Sequence, residues 1–165
     1  MARFASSIAL LAQGMPFIQA GQEFLRSKGG DENSYKSSDL VNSIKWGEKA
    51  KNMVTYKYFQ GLIALRKAHS AFRMSTAAQV IKNLKFYAVA NNVVMYSIAG
   101  KSVGDSAGSF VVIHNPNPTA QKIKLPNGGK WSIVVSGDKA GVRVISAGRM
   151  ADVSVAGQTT MVLQQ

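Results

Sequence analysis

The hydrophobic pattern of this chain changes period once, near residue 80, and this change limits the folds that the chain can adopt. Between residues 53 and 72, apolar residues recur at the three- and four-residue spacing of a helix that buries one face. The residues on this face are Val54, Tyr58, Leu62, Leu65 and Ala68. After residue 80, short segments rich in β-branched and aromatic residues alternate with turn residues, which is typical of an antiparallel sandwich.

We predict a series of short strands in this second region, separated by turns that contain Asn, Pro and Gly. The predicted strands are 85–90, 93–98, 110–114, 120–125, 131–136, 142–146, 151–155 and 160–163. We predict that residues 75–78 connect the two regions. The pattern therefore divides the chain into two regions, 1–79 and 80–165.

The first region contains one candidate strand between two helices. We predict a helix over residues 2–13 that ends at Gly14, and a second helix over 53–72 in which Gly61 marks a close packing contact. The apolar run 15–20 lacks alternation, as expected for a strand buried on both faces of a parallel sheet. Helix, buried strand, loop and helix make one step of an α/β barrel or a doubly wound sheet, so we interpret the chain as a piece of a larger fold.

Composition excludes several classes of site. The 165 residues contain no cysteine, so disulfides and thiolate chemistry are impossible. The net charge of +12 is spread along the chain, whereas nucleic-acid binding calls for clustered cations with exposed aromatics between them. We predict neither a nucleic-acid partner nor a membrane partner, because no apolar run approaches the length of a membrane helix.

The start of the chain does not fit a signal peptide. Its apolar stretch is broken by Gln13, Gly14 and Pro16, and no clear cleavage site follows. The sequence is compatible with a cytoplasmic and with a secreted protein. If the 15–20 strand lacks its neighbours, we expect aggregation, association with a companion chain, or a refolded first region.

Two stretches of the first region resemble a known family. They are residues 14–46, GMPFIQAGQEFLRSKGGDENSYKSSDLVNSIKW, and residues 58–74, YFQGLIALRKAHSAFRM. They resemble the eighth strand, loop and helix of the catalytic barrel of type I pullulanases, which are debranching members of the α-amylase superfamily. The later stretches VVIHNPNP and KLPNGGKWSIVVSGDKAG are similar to the C-terminal β-sandwich of that family. The resemblance implies an α+β fragment: the terminal segment of a (β/α)₈ barrel over 1–79, then an all-β antiparallel sandwich of Greek-key type over 80–165.

The resemblance also implies a function for the parent protein. Such an enzyme hydrolyses α-1,6 linkages in pullulan, amylopectin or glycogen dextrins, with its active site at the C-terminal ends of the barrel strands. The polar loop 21–46 would then form part of the rim of the sugar-binding cleft. The implied partners are an α-glucan and the upstream barrel segment, in the same chain or a companion chain.

We expect no catalytic residue within this chain. Retaining glycosidases need two carboxyl groups about 5 Å apart, and in the family these precede the point matched by Met1. The acidic residues of the first region all lie in or near one loop, which cannot hold a catalytic pair to the required tolerance. They are Glu23, Asp31, Glu32, Asp39 and Glu48. Glu23 is either a carboxylate near the cleft or one partner of a structural ion pair with a basic residue such as Arg26, and we favour the ion pair.

The candidate substrate-binding residues lie in and near the DENSY stretch. Asp31 and Asn33 offer planar groups for sugar hydroxyls, and Tyr35 offers an aromatic face for a sugar ring. An Asx-type turn in a solvated loop explains the same residues equally well, and both interpretations stay open. Arg26 either touches substrate or holds the loop, and we favour the second. The oxygen-bearing residues match no Ca²⁺ loop motif, so we expect neither a metal nor another cofactor.

Several other residues have structural interpretations. We expect Ser38 or Asp39 to cap a short helical turn. Trp46 could stack on a sugar, but an aromatic residue beside Ile44 is more often packed, and we favour packing. His69 is placed to satisfy carbonyls at a helix end, and His114 to hydrogen-bond in a turn.

Two other functions remain as alternatives: a non-catalytic carbohydrate-binding or accessory β-sandwich module and, less favoured, a basic nucleic-acid-binding protein.

Overall fold

Helices and turns occupy the first half of the chain and strands the second, in a computed structural model that describes residues 1–165. The helices are α1 (Ala2–Leu11), α2 (Asp39–Asn42), α3 (Glu48–Lys51), α4 (Met53–Ala68) and α5 (Ala77–Asn83). Short 3₁₀ turns lie at Gln22–Phe24, Ser34–Lys36, Ser70–Phe72 and Lys101–Val103. The strands are β1 (Leu84–Tyr87), β2 (Val94–Ala99), β3 (Ser109–Asn115), β4 (Gln121–Ser136), β5 (Lys139–Ala140), β6 (Ser146–Val155) and β7 (Thr159–Gln164).

All strand pairs are antiparallel, in the order β1-β2-β3-β7-β4-β5, with β6 paired to β4. The long strand β4 pairs with β6 along most of its length, and its last residues also pair with β7 and β5. An irregularity between Lys124 and Gly129 interrupts its ladder with β6. The prediction of an antiparallel β domain is therefore confirmed.

Two apolar clusters lie on opposite faces of the sheet. Neighbouring residues of one strand point to opposite sides, so Val112 and Val111 of β3 belong to different clusters. The first cluster joins α1 and α4 to the sheet; it includes Leu10, Tyr58, Leu62, Phe110, Val112 and Val162. The second packs the β4–β6 pair over the other face; it includes Val111, Ile113, Ile123, Trp131, Val153 and Leu163. This second layer gives the β domain its sandwich character.

The predicted strand over residues 15–20 is wrong. Residues 15–19 adopt no regular structure, and the side chains of Met15 and Phe17 are 98% and 93% exposed. A parallel strand needs neighbours reached through crossover connections, and this chain supplies no such neighbour. The structure thus contains no parallel barrel strand.

The strand predictions fail in detail at two places. Residues 120–125 and 131–136 belong to one strand, β4, because the predicted turn at 126–129 is absorbed as an irregularity of the ladder. The predicted strand 142–146 does not form. In this part of the chain the strands are β5 (Lys139–Ala140) and β6, which begins at Ser146, and both pair with β4. The predicted connector at 75–78 is wrong in its second half, because residues 77 and 78 already belong to α5. The Thr76 hydroxyl caps this helix by accepting a hydrogen bond from the Gln79 amide.

Helix α4 buries the predicted residues Tyr58, Leu62 and Leu65, whereas Val54 and Ala68 are exposed. The close contact predicted at Gly61 is confirmed: a Cβ there would lie 1.9 Å from the carbonyl oxygen of Ala140. The charged residue Arg66 of α4 is also buried.

Candidate functional site

The 21–46 loop is held together by side-chain bonds and not by regular secondary structure. Asn42 is at its centre: its side-chain amide donates to the carbonyl oxygens of Ser34 at 2.6 Å and Ser37 at 2.8 Å. The ammonium group of Lys28 donates to the side-chain oxygen of Asn42 at 3.1 Å and also to the hydroxyl of Ser34. These bonds tie the two halves of the loop to each other.

Asp31 and Asn33 form the Asx turn that was one of the two interpretations of this stretch. One carboxylate oxygen of Asp31 accepts a hydrogen bond from the Asn33 amide at 3.1 Å, and the other accepts from the Ser37 hydroxyl. Both side chains are nevertheless exposed. The turn fixes the carboxylate without covering it, so a role in substrate binding stays a prediction.

Tyr35 presents an open aromatic ring beside these two residues. It lies in the 3₁₀ turn Ser34–Lys36, where Ser34 is buried and the Tyr35 side chain is 73% exposed. The ammonium group of Lys36 lies 5.3 Å from the ring centroid. An acid, an amide and an exposed ring therefore occupy five consecutive residues of the loop.

Arg26 braces the start of the loop. Its guanidinium donates to the carbonyl oxygen of Ala20 at 3.2 Å and to that of Asn42. Its aliphatic part lies over Gly21, where an added Cβ would approach the Arg26 side chain to 2.7 Å. Gly21 also has a φ of 90°, so glycine is required there on two grounds.

Glu23 forms no ion pair with Arg26 or with another basic residue, so the prediction of a structural ion pair is wrong. Two backbone carbonyls already occupy the Arg26 guanidinium. The Nε atom of Arg26 is buried without a partner. A cavity of about 190 Å³ adjoins this side chain; it is lined by Phe24, Leu25, Arg26, Ser27, Ser43, Lys45 and Glu48.

Trp46 and the short helix α2 close the loop. The Trp46 ring lies 5.8 Å from the buried Phe24 ring but is 67% exposed, so the prediction of a packed tryptophan is wrong. Helix α2 begins after Ser38, but no side-chain capping hydrogen bond forms there, so the predicted cap is wrong.

Comparison with known proteins finds similarity to pullulanases. Residues 80–139 match the family model described as "Pullulanase, all-beta domain". The chain is 40% identical over 125 residues to a pullulanase of Bacillus subtilis, an alignment that covers 76% of this chain and 17% of the relative. It superposes on a pullulanase from Bacillus acidopullulyticus with a TM-score of 0.94 and 38% identity, over 99% of this chain and 20% of the other. The chain fits a segment of a type I pullulanase.

A second pullulanase structure agrees with the first. The type I pullulanase of Bacillus subtilis, solved in complex with maltose, superposes with a TM-score of 0.90 and 34% identity, over 99% of this chain and 23% of that one. The chain thus spans about a fifth of the length of the pullulanases that it matches.

The two histidines of this chain make structural contacts. His69 does not bind helix-end carbonyls as predicted; its Nδ1 lies 2.8 Å from a carboxylate oxygen of Asp105. Asp105 also accepts hydrogen bonds from the backbone amides of Ala71 and Ala107, both at 2.9 Å. Burial alone would raise the pKa of the Asp105 carboxyl, but these hydrogen bonds outweigh burial and hold the pKa below its ordinary value.

His114 is hydrogen-bonded as predicted, but it lies within β3 and not in a turn. Its Nδ1 is 2.8 Å from the hydroxyl of Thr160 on the neighbouring strand β7. Burial lowers the pKa of the His114 imidazole to about 4.

The chain offers no grouping of three metal-binding side chains of the His, Cys, Asp or Glu type. None of its helices has the length and apolar character needed to cross a bilayer.

Proposed function

We propose that this chain is the C-terminal portion of a debranching enzyme that hydrolyses α-1,6-glucosidic linkages in starch-type glucans or pullulan. The observation that carries the proposal is the superposition of 99% of the chain on a pullulanase with a TM-score of 0.94. In this proposal the 1–79 region completes the catalytic barrel, and the 80–165 domain stabilises it. The boundary near residue 80 is part of the proposal.

The chain contributes to the cleft without supplying the catalytic carboxylates. The acidic groups of the loop region are already engaged in local contacts or exposed: Asp31 accepts from Ser37, and Glu48 pairs with Lys51 at 2.7 Å. Asp105 has a fully buried side chain occupied by three hydrogen-bond donors at 2.8 to 2.9 Å. A retaining mechanism needs two carboxyls about 5 Å apart across the substrate, and in this proposal both come from the upstream part of the barrel.

The 21–46 loop is the proposed glucan contact. Tyr35 would stack on a sugar ring, while Asp31 and Asn33 would bind hydroxyl groups, because these three side chains are exposed and adjacent. The maltose bound to the Bacillus subtilis relative supports an α-glucan as the ligand class. Arg26 holds the loop from inside through its carbonyl contacts.

The decisive experiment combines the chain with a polypeptide that carries the upstream barrel. Native mass and reducing-sugar release from pullulan are measured for each piece and for the mixture. Turnover by the mixture alone supports the proposal. A chain that remains monomeric and leaves the barrel piece inactive contradicts it.

A second experiment tests the loop residues. Tyr35→Ala is expected to weaken binding of the combined protein to amylopectin by about tenfold, measured by affinity electrophoresis. Phe86→Ala is the matched control, because Phe86 is a similarly exposed aromatic (65%) on β1. Equal affinity of the Tyr35→Ala protein and the wild type would exclude Tyr35 as a contact.

The alternatives predict different results. Binding of amylopectin by the chain alone, with no activity in any mixture, would favour a carbohydrate-binding module. Binding to DNA that weakens steeply with salt would favour a basic nucleic-acid-binding protein.

A further inference from the structure

Arg66 belongs to α4 but binds the end of α1. Its side chain is buried, and one of its terminal nitrogens donates to the carbonyl oxygens of Leu10 at 3.0 Å and Ala12 at 2.6 Å. The other terminal nitrogen donates to the carbonyl oxygen of Gly14. Helix α1 ends at Leu11, so these oxygens belong to the last helical turn and its exit, where carbonyls have no partner within the helix.

No carboxylate balances this buried charge. The ion pairs of the chain are Lys51–Glu48, His69–Asp105 and Lys122–Asp152. The Arg66 guanidinium instead faces the partial negative charge at the C-terminal end of α1. Three carbonyls can be bound at once because guanidinium is planar and carries several fixed donors, whereas a lysine ammonium is a compact point charge.

Two further side chains hold the same exit, residues 10–14. The hydroxyl of Tyr96 on β2 donates to the carbonyl oxygen of Leu11 at 3.2 Å. The side chain of Gln13 donates to the carbonyl oxygen of Ala71 at 2.8 Å and accepts from the Met74 amide at 3.1 Å. The exit of α1 is therefore fixed to α4, to the sheet and to the segment after α4.

The chain beyond Gly14 lacks comparable support. Residues 15–18 form no hydrogen bond, and Met15 and Phe17 are almost fully exposed. Ile18 packs against the first apolar cluster, and the next hydrogen bonds join Gln19 to Gln22, whose side-chain amide also donates to the Ser6 hydroxyl of α1 at 3.4 Å. The carbonyl of Gly14 is therefore the last hydrogen-bonded group before Gln19, and the α1 exit is one of the points that direct the chain into the 21–46 loop.

We infer that Arg66 is a positioning residue for the 21–46 loop, which it places by fixing the carbonyls of the α1 exit. The positioning of the loop by Arg66 does not depend on the proposed function. The consequence for glucan binding rests on that function: Tyr35 and Asp31 meet the glucan in the correct place only while Arg66 holds the exit.

The test compares Arg66→Met and Arg66→Lys with the wild type. Lys67→Met is the matched control, since Lys67 is exposed and its side chain makes no hydrogen bond. Amide hydrogen exchange over residues 11–46 is expected to rise by about tenfold in Arg66→Met, and less in Arg66→Lys, while β3 and β7 exchange as in the wild type. Unchanged exchange over 11–46, or an equal rise in β3 and β7, would overturn the inference.

A milder variant covers the case in which Arg66→Met does not fold. Tyr96→Phe keeps the ring and removes only the bond to Leu11. Together with Arg66→Lys, it is expected to raise exchange over residues 11–20 alone. Wild-type exchange in both variants would refute the positioning role.

Glucan affinity separates this inference from the proposed function. In the protein combined with its barrel piece, Arg66→Lys is expected to lower amylopectin affinity by several-fold, with Lys67→Met unchanged. Increased exchange with unaltered affinity would overturn the consequence for glucan binding. If the wild type binds no glucan, the proposed function fails, and the exchange comparison still decides the role of Arg66.

Discussion

Gly61 shows how closely α4 approaches the sheet. The added Cβ would lie 1.9 Å from the oxygen and 2.4 Å from the carbon of the Ala140 carbonyl, both of them backbone atoms that cannot rotate away. The glycine therefore permits a helix–strand contact that no other residue allows.

Gly61→Ala is expected to destabilise the chain by about 3 kcal/mol, because α4 must move away from β5. The free energy of unfolding in urea measures this loss. Gly47→Ala is the control: nothing lies within 4 Å of the added Cβ and its φ is −60°, so a change within about 0.5 kcal/mol is expected. Equal stability of the Gly61→Ala protein and the wild type would contradict the observed contact.

His114 makes the stability of the β domain depend on pH. Its folded-state pKa of about 4 is below the ordinary value of 6.5, so protonation favours the unfolded chain. The neutral imidazole makes its full contribution to the free energy of unfolding above pH 6.5. This contribution is lost progressively as the pH falls toward 4.

His114→Gln is expected to remove this dependence. Between pH 7 and pH 4.5 the wild type should lose about 2–3 kcal/mol more unfolding free energy than the variant. Chemical denaturation at several pH values measures the difference, and the contributions of other titrating groups cancel in the comparison. Parallel pH profiles of the two proteins would show that His114 does not titrate in this range.

At the scale of an element, the 21–46 loop is ordered without helices or strands of useful length. Asn42 bonds to residues that precede it by five, eight and fourteen positions, and Arg26 bonds across sixteen. Loops built in this way can hold exposed side chains in fixed positions, which is what ligand recognition requires.

Asn42→Ala is expected to loosen the loop while leaving the sheet intact. Cleavage within residues 21–46 by a nonspecific protease should become several-fold faster, because three hydrogen bonds are lost. Asn33→Ala is the control, since the Asn33 side chain makes no hydrogen bond and only its backbone amide contacts Asp31. Equal cleavage rates in the two variants would exclude the central role of Asn42.

At the scale of the whole molecule, the two regions share one apolar core. Leu10 and Leu62 from the helices belong to the same cluster as Phe110, Val112 and Val162 from the sheet. We therefore expect the intact chain to unfold in one cooperative transition.

Residues 80–165 alone are expected to expose the face of the sheet that α1 and α4 cover. Binding of an apolar dye and self-association should increase relative to the intact chain, because this face carries large apolar side chains. Size-exclusion chromatography and dye fluorescence measure both effects. A soluble monomer with the melting temperature of the intact chain would show that the β domain is independent of the helices.

Much of this structure follows from the spacing of apolar residues and glycines within single elements of the sequence. The change of period near residue 80, the face of α4 that carries Tyr58, Leu62 and Leu65, and the close contact at Gly61 were all predictable. Each depends on residues within one element, where side-chain direction follows directly from the backbone period. The Asx turn at Asp31 is local for the same reason.

Only the tertiary structure decided the contacts between distant residues. Arg66 bonds to a carbonyl 56 positions away and His69 to a carboxylate 36 positions away, and no local pattern marks either pair. Residues 15–20 have a local pattern without a partner. Their apolar sequence is that of a buried strand, but the chain supplies no parallel neighbour and no strand forms. Strand formation and charge burial both depend on partners elsewhere in the fold, so the sequence determined which elements can form and the tertiary structure determined which of them are paired.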